Sequence, residues 1–275
     1  MSQCHNIARL IPRDTDKQTC THHQIDIDPM PDAFDAYDDF FGNKTFYFSV
    51  EHSHKKLEVT VTTEIEKEPA PALEQDFVST QSWESIKQQL QASKQEFIDV
   101  CQYIPETIMT ASNAAIKQYA LISFTPNRSF YDAALDLMKR IFQDFEFVSG
   151  FTTISTPLAE VMEQRKGVCQ DFAHLAIACI RSMGLPARYV SGYIETLAVP
   201  GKEKLVGVDA SHAWFAMYVP GNGWLDFDPT NNQVPDMQHI TTGWGRDYTD
   251  IAPLKGVIIG SGPHQLTVSV DVRRV

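Results

Sequence analysis

The 275-residue sequence predicts an α+β fold, with a small antiparallel β domain (residues 1–75) leading into a larger core of helices and strands (residues 76–275). Three observations carry this reading. Strand signals, among them alternation at every second position, run through 6–68, as half-buried strands require. Between 80 and 183 the apolar spacing changes to three and four, as in helices that bury one face. From 187 onward the strand signals return.

In chain order, "HQIDIDP" alternates, "KTFYFSVE" is aromatic and β-branched, and "KLEVTVTTEIE" alternates almost without fault. "HSHK" (52–55), between the last two, reads as a hairpin loop. "DAFDAYDD" (32–39) reads as a solvated acidic loop, and it lacks the glycine and closing glutamate of an EF-hand calcium loop. Proline-rich "KEPAPALEQ" (67–75) reads as the exit linker. "TQSWESIKQQLQAS" opens the helical region, with Thr80 or Ser82 as N-cap and Glu84 in the first turn. "NRSFYDAALDLMKRIFQDFEF" sets Phe130, Ala134, Leu137, Ile141 and Phe142 along one stripe, and "PLAEVMEQ" (157–164) is a shorter helix. "GVCQDFAHLAIACIRSMGLPAR" (167–188) follows. In it Phe172, Ala176, Cys179, Ile180 and Met183 form an apolar face that Gly184 and Pro186 bring to a stop. Strands are expected at "ARYVSGYIE" (187–195), "AWFAMYV" (213–219), "GWLDFD" (223–228) and "LTVSVDVRRV" (266–275).

Composition narrows the function. A net charge of −12 opposes binding to nucleic acid or an anionic membrane. The opening "MSQCHNIARLIPRDTDKQ" has no apolar leader core, and no apolar run reaches bilayer length, so the expected compartment is the cytoplasm. Cysteines 4, 20, 101, 169 and 179 are odd in number and contain no C-x-x-C, which suggests neither a disulfide framework nor a zinc ribbon. No phosphate-cradling glycine motif occurs. No cofactor or metal is expected, and an oligomer is compatible with the sequence.

Cys169 stands out because a core helix has no need of a cysteine in its first turn. Free N–H groups at a helix start favour a thiolate, and Gly167 is expected to let the chain turn and to leave room for a substrate backbone. A thiolate also needs a base and a group to orient that base. "PGNG" (220–223) joins the strands of "DASHAWFAMYVPGNGWLDFDPTN" as a hairpin, which returns Asp228 to the neighbourhood of His212. Asp226 lies on the same strand face, but Pro229 ends the strand at Asp228, which favours Asp228. Asp171 is expected to cap the first turn or hold a loop, and His174 to make a structural hydrogen bond. Trp214 either shelters the imidazole at the substrate side or packs. Arg246 in "GWGRDYTD", with Tyr248 beside it, either binds a substrate carboxylate or pairs with Asp247 or Asp250. A zinc site built from Cys169, His174, His212 and Asp228 is the remote alternative.

"GVCQDFAHLAIACIRSMGLPARYVSGY", "SHAWFAMYVPGNGWLDFDPTN" and "GRDYTDIAPLKGVIIG" resemble the bacterial transglutaminase-like superfamily, and "LIPRDTDKQ" with "FGNKTFYFSVEHSHKKLEVTVTTEIE" resembles its N-terminal domain. The resemblance implies a papain-like core with Cys169 as nucleophile, His212 as base and Asp228 as orienting carboxylate. It implies a peptide or protein substrate and thiol-dependent amide chemistry, with hydrolysis favoured, transglutaminase activity as the alternative, and a non-catalytic scaffold as a third reading. It also implies a strand ahead of "NIARLIPRD", where this chain supplies only "MSQCH", so a misassigned start, an open sheet edge or a partner's strand is expected.

Overall fold

The computed structural model describes residues 3–69, 81–93, 95–196, 210–260 and 265–275. The first strands are β1 (Gln3–Ala8), β2 (Gln18–Asp28), β3 (Ala33–Asp38), β4 (Lys44–Val50) and β5 (Glu58–Lys67). Helices α1 (Trp83–Ala92), α2 (Ile98–Cys101), α3 (Ala114–Ser123) and α4 (Phe130–Asp144) follow. Two-residue strands β6 (Glu146–Phe147) and β7 (Lys166–Gly167) flank α5 (Leu158–Gln164). Next come α6 (Cys169–Ser182), β8 (Ala187–Ile194), β9 (Ala210–Val219), β10 (Gly223–Phe227), β11 (His239–Gly245), α7 (Tyr248–Ile251) and β12 (Leu254–Ile259).

The front of the chain forms two layers. One sheet has the order β12-β1-β4-β3, and a β2–β5 ribbon packs across it. Ala8, Ile11, Phe46 and Phe48 fill the space against Ile25, Ile27, Val59 and Val61. Three expectations change here. β4 and β5 lie in different sheets, so "HSHK" carries the chain from one layer to the other instead of closing a hairpin. "DAFDAYDD" is largely the edge strand β3, all six strand residues of which are exposed; like-charged aspartates discourage further pairing along that edge. "QCHNIA" is itself strand β1, and it sits inside the sheet because β12 covers its other side. The expected exit linker lies outside the described residues from 70 onward.

The core is an antiparallel sheet of order β10-β9-β8-β11 packed on α6. Ser82 caps α1, accepting from Ser85 N at 3.2 Å, and Ser129 caps α4, accepting from Asp132 N at 3.1 Å. Phe130, Ala134, Leu137 and Ile141 are buried as the spacing predicts, but Phe142 is 47% exposed at the edge of its stripe. Helix α6 is buried on every face from Asp171 to Arg181, not on one stripe alone. Its polar side chains are matched accordingly. Arg181, for example, donates to Tyr103 O, Thr110 Oγ1, Ala187 O and Arg246 O at 2.7–2.9 Å. Among the described residues, the C-terminal "LTVSVDVRRV" forms no strand and shows a bridge at Val270.

Side-chain amides join the two layers to the core. Along the outer edge of β11, Gln18 donates to Thr241 O (2.6 Å) and accepts from Thr241 N (3.0 Å). Asn43 does the same for Trp244, at 2.9 Å in each direction. Trp244 also lies between the guanidinium groups of Arg13 (3.3 Å to the ring centroid) and Arg188 (3.7 Å).

Candidate active site

Cys169 holds the first position of α6. Val168 before it is extended, and the first intrahelical hydrogen bond runs from Phe172 N to Val168 O. The N–H groups of residues 169–171 therefore precede the ladder and gather positive partial charge around the sulfur. Cys169 is partly exposed, whereas Cys179 is fully buried and burial pushes its thiol up to about 12. Asp171 braces this turn, with Oδ2 accepting from Val168 N at 2.8 Å and from Thr152 Oγ1 at 2.5 Å. Burial raises its pKa against the pull of those two bonds. It thus caps the turn and holds a loop at once. A Cβ on Gly167 would lie 2.9 Å from Asp171 Cβ and Oδ2. The glycine makes room for that carboxylate, and its φ lies outside the left-handed region, so the expected sharp turn is not what requires it.

The hairpin closes as the sequence predicts. Strands β9 and β10 pair Phe215 with Phe227 and Ala216 with Asp226. This returns Asp228 to His212, with Oδ2 and Nε2 2.8 Å apart. The Cys169 thiol also acts on the His212 imidazole, raising its pKa together with Asp228. Because Nε2 is committed to Asp228, Nδ1 is the nitrogen left to face the sulfur. The structure therefore brings all three sequence candidates together.

Two further residues complete the site. His239 Nε2 lies 3.0 Å and Asn231 Nδ2 2.7 Å from the same Asp228 Oδ2, while Oδ1 accepts from Thr230 N at 2.9 Å and Asn231 N at 3.3 Å. A carboxylate only accepts, so both imidazoles carry a proton on Nε2. Burial alone would raise the Asp228 pKa, but the bonds from His212 and His239 and the charge of His212 outweigh it and hold the carboxyl well below its usual range. Burial would likewise lower His212, but the bond to Asp228 and the influence of Cys169 prevail and lift it to about 9. His212 Nε2, Asp228 Oδ2 and His239 Nε2 lie within 4.8 Å of one another, a grouping that could hold a metal ion. The hydrogen bonds to one oxygen account for that convergence without an ion. Sequence reasoning missed both added residues. Asn231 had a readable signal, since an Asp-Pro-Thr-Asn turn directs nearby donors at its own aspartate. His239 had none, because only the pairing of β11 with β8 brings it in.

The remaining candidates fall outside this cluster of hydrogen bonds. Trp214 is fully buried, 6.0 Å from His212 and 5.1 Å from His239 between ring centroids. It packs beneath the imidazoles and offers no surface to substrate, which corrects its expected place among substrate-binding residues. Arg246 forms a two-pronged ion pair with Asp250, at 2.8 and 3.0 Å. Tyr248 is half-buried, and its backbone N–H donates to His174 Nε2 at 3.1 Å, the structural bond expected of that histidine. Burial lowers His174 to about 4. The Trp214 indole N–H approaches the Asp226 carboxylate without closing a well-formed hydrogen bond, and Asp226 Oδ1 is left unpartnered. A cavity of about 680 Å³ lies where Arg9, Phe40 and Phe41 meet Arg246 and Asp250, and neither Cys169 nor His212 lines it.

A cysteine at a helix start facing a sheet-borne histidine and carboxylate defines a papain-like core. Residues 121–229 match the Transglutaminase-like superfamily and residues 1–66 the Bacterial transglutaminase-like N-terminal region, and the chain belongs to this superfamily. Uncharacterized protein Rv2569c of Mycobacterium tuberculosis is 40% identical over 270 residues, covering 96% of this chain and 84% of its own. A Protein-glutamine gamma-glutamyltransferase of Pseudomonas aeruginosa is 35% identical over 77 residues, which is 28% of this chain and 12% of that one. Among solved structures, a putative cysteine protease from Cytophaga hutchinsonii aligns with a TM-score of 0.75 at 21% identity, covering 100% of this chain and 88% of the other.

Proposed function

We propose that the protein is a thiol-dependent amidohydrolase or peptidase acting on a peptide-like substrate through a cysteinyl thioester. The observation that carries this is His212, hydrogen-bonded to Asp228 at 2.8 Å and lifted to about 9 by Asp228 and Cys169 together. The proton of the thiol passes to Nδ1, and the thiolate attacks the amide carbonyl while the Cys169 N–H stabilises the oxyanion. The imidazolium returns that proton to the departing nitrogen as the C–N bond breaks, leaving the thioester. Water, deprotonated by His212, then adds to the carbonyl; the S–C bond breaks and an acid is released. If an amine takes the place of water, the outcome is transamidation, a reading supported by the name of the Pseudomonas aeruginosa relative. Hydrolysis is preferred because water is always at hand, whereas an amine needs a shielded pocket of its own.

Iodoacetamide labelling at pH 6 tests the nucleophile. Cys169 should react at least a hundredfold faster than Cys179, and equal rates would return the protein to the scaffold reading. With a glutamine peptide and a primary amine present, ammonia release without amine incorporation identifies the hydrolase.

A further inference from the structure

We infer that the loop from Phe147 to Ile154 is the specificity rim of this site and that it receives a bulky apolar side chain of the peptide under attack. The inference rests on the proposed thiol chemistry and adds the class of substrate. Four contacts hold the loop to both flanks of the nucleophile. Phe147 pairs with Gly167 through the parallel strands β6 and β7. Val148 N donates to Gly167 O at 3.0 Å. The Phe147 ring meets Phe172, in the first turn of α6, edge-on at 6.5 Å. Thr152 Oγ1 reaches Asp171 at 2.5 Å. Gly167 and Asp171 bracket Cys169, so the loop is fixed against the turn that presents the sulfur.

Despite that anchoring, the apolar side chains of the loop stay in water, with Phe147 53% exposed, Phe151 41% and Ile154 59%. Isolated exposed apolar residues are ordinary, but three on one braced loop beside a nucleophile offer apolar surface that binding would cover. The occupant follows from position. The loop is anchored on Gly167 and Asp171, two residues either side of Cys169, so a peptide whose carbonyl carbon reaches the sulfur brings its neighbouring side chains toward this loop. Only apolar ones gain by leaving water there.

Dipeptidyl chloromethyl ketones test this without requiring turnover, because they alkylate a thiol that they also bind. Two acetylated series place Phe, Leu or Ser either at the ketone or one residue before it, with Gly at the other position. Each rate at Cys169 is divided by the iodoacetamide rate of the same variant. At least one series should favour Phe or Leu over Ser by tenfold or more, and Phe147→Ser with Phe151→Ser should bring the ratio within about twofold. Phe151→Ser with Ile154→Ser, which leaves the Phe147–Phe172 contact in place, should lower the ratio by at least threefold. A ratio near one in both series, or one that survives both double variants, overturns the rim. Preserved apolar preference in a protein that hydrolyses no amide sinks the hydrolase reading and keeps the rim. A Cys169 inert to iodoacetamide and ketones alike overturns both.

Discussion

At the scale of single residues, the pH dependence follows from the pull of Asp228 on His212. In the proposed reaction the imidazolium gives its proton to the leaving nitrogen, so kcat/KM should fall as pH rises through about 9, the value to which its partners lift His212. Asp228→Asn removes the carboxylate charge, and the basic limb should move toward the ordinary histidine value while kcat drops by roughly 10²–10⁴. A pH–rate profile on a peptide amide checks both, and a limb that stays at 9 in Asp228→Asn would place the cause elsewhere. His239 acts at one remove. It supplies one of three donors to Oδ2 and is 3% exposed, so His239→Ala should lower kcat by about tenfold to a hundredfold with KM nearly constant. His239→Gln, which keeps an N–H donor, should recover most of the loss. Equal kcat in wild type and His239→Ala would remove this residue from the machinery.

At the scale of elements, what the sequence made legible depended on how local the determining physics is. The β9–β10 hairpin was readable because a four-residue turn fixes its register, and register places Asp228 beside His212. Helix α6 and its stop were readable from spacing and Gly184. The β4–β5 connection misled because two well-patterned strands separated by a short loop normally pair, yet here each found a partner distant in sequence. β3 misled for another reason: it pairs with the adjacent β4, but its acidic sequence, suited to a sheet edge, reads as a loop. The amide clamps on β11 were invisible for a related reason, since Gln18 and Asn43 carry no pattern that announces a strand edge more than 200 residues away. Their weight can be measured. Asn43→Ala leaves the N–H and C=O of Trp244 without their amide partner, each costing up to about 1–3 kcal/mol. Melting should come several degrees lower, at roughly 2–4 °C per kcal/mol for a chain of this size. Gly243→Ala should do comparable harm, because its Cβ would sit 2.4 Å from Asn43 Oδ1. Unchanged melting in Asn43→Ala would show that water replaces the amide at no cost.

For the whole molecule, the question is whether the catalytic core could stand without the layers in front of it. Three features oppose that. The edge of β11 obtains its hydrogen bonds from Gln18, Asn43 and the backbone N–H of Arg13, which reaches Thr241 O at 3.2 Å. Strand β12 leaves the core to pair with β1 along all six residues, Gln3 to Ala8 against Ile259 to Leu254. Lys67, at the end of β5, donates to Asp236 O at 2.8 Å and to the carbonyl of His239, the residue that supports Asp228. A chain beginning at residue 76 would lose all of these together. It would expose β11 as a bare edge carrying Trp244 and release the apolar strand β12, the two conditions that favour edge-to-edge association. Such a chain should therefore aggregate or melt well below the full protein, and any soluble fraction should label slowly at Cys169 as His239 and Asp228 lose their frame. Circular dichroism melting and iodoacetamide labelling of the two chains side by side decide the matter. A core that melts cooperatively at the temperature of the full chain, with Cys169 equally reactive, would mean that the front layers serve something other than the site.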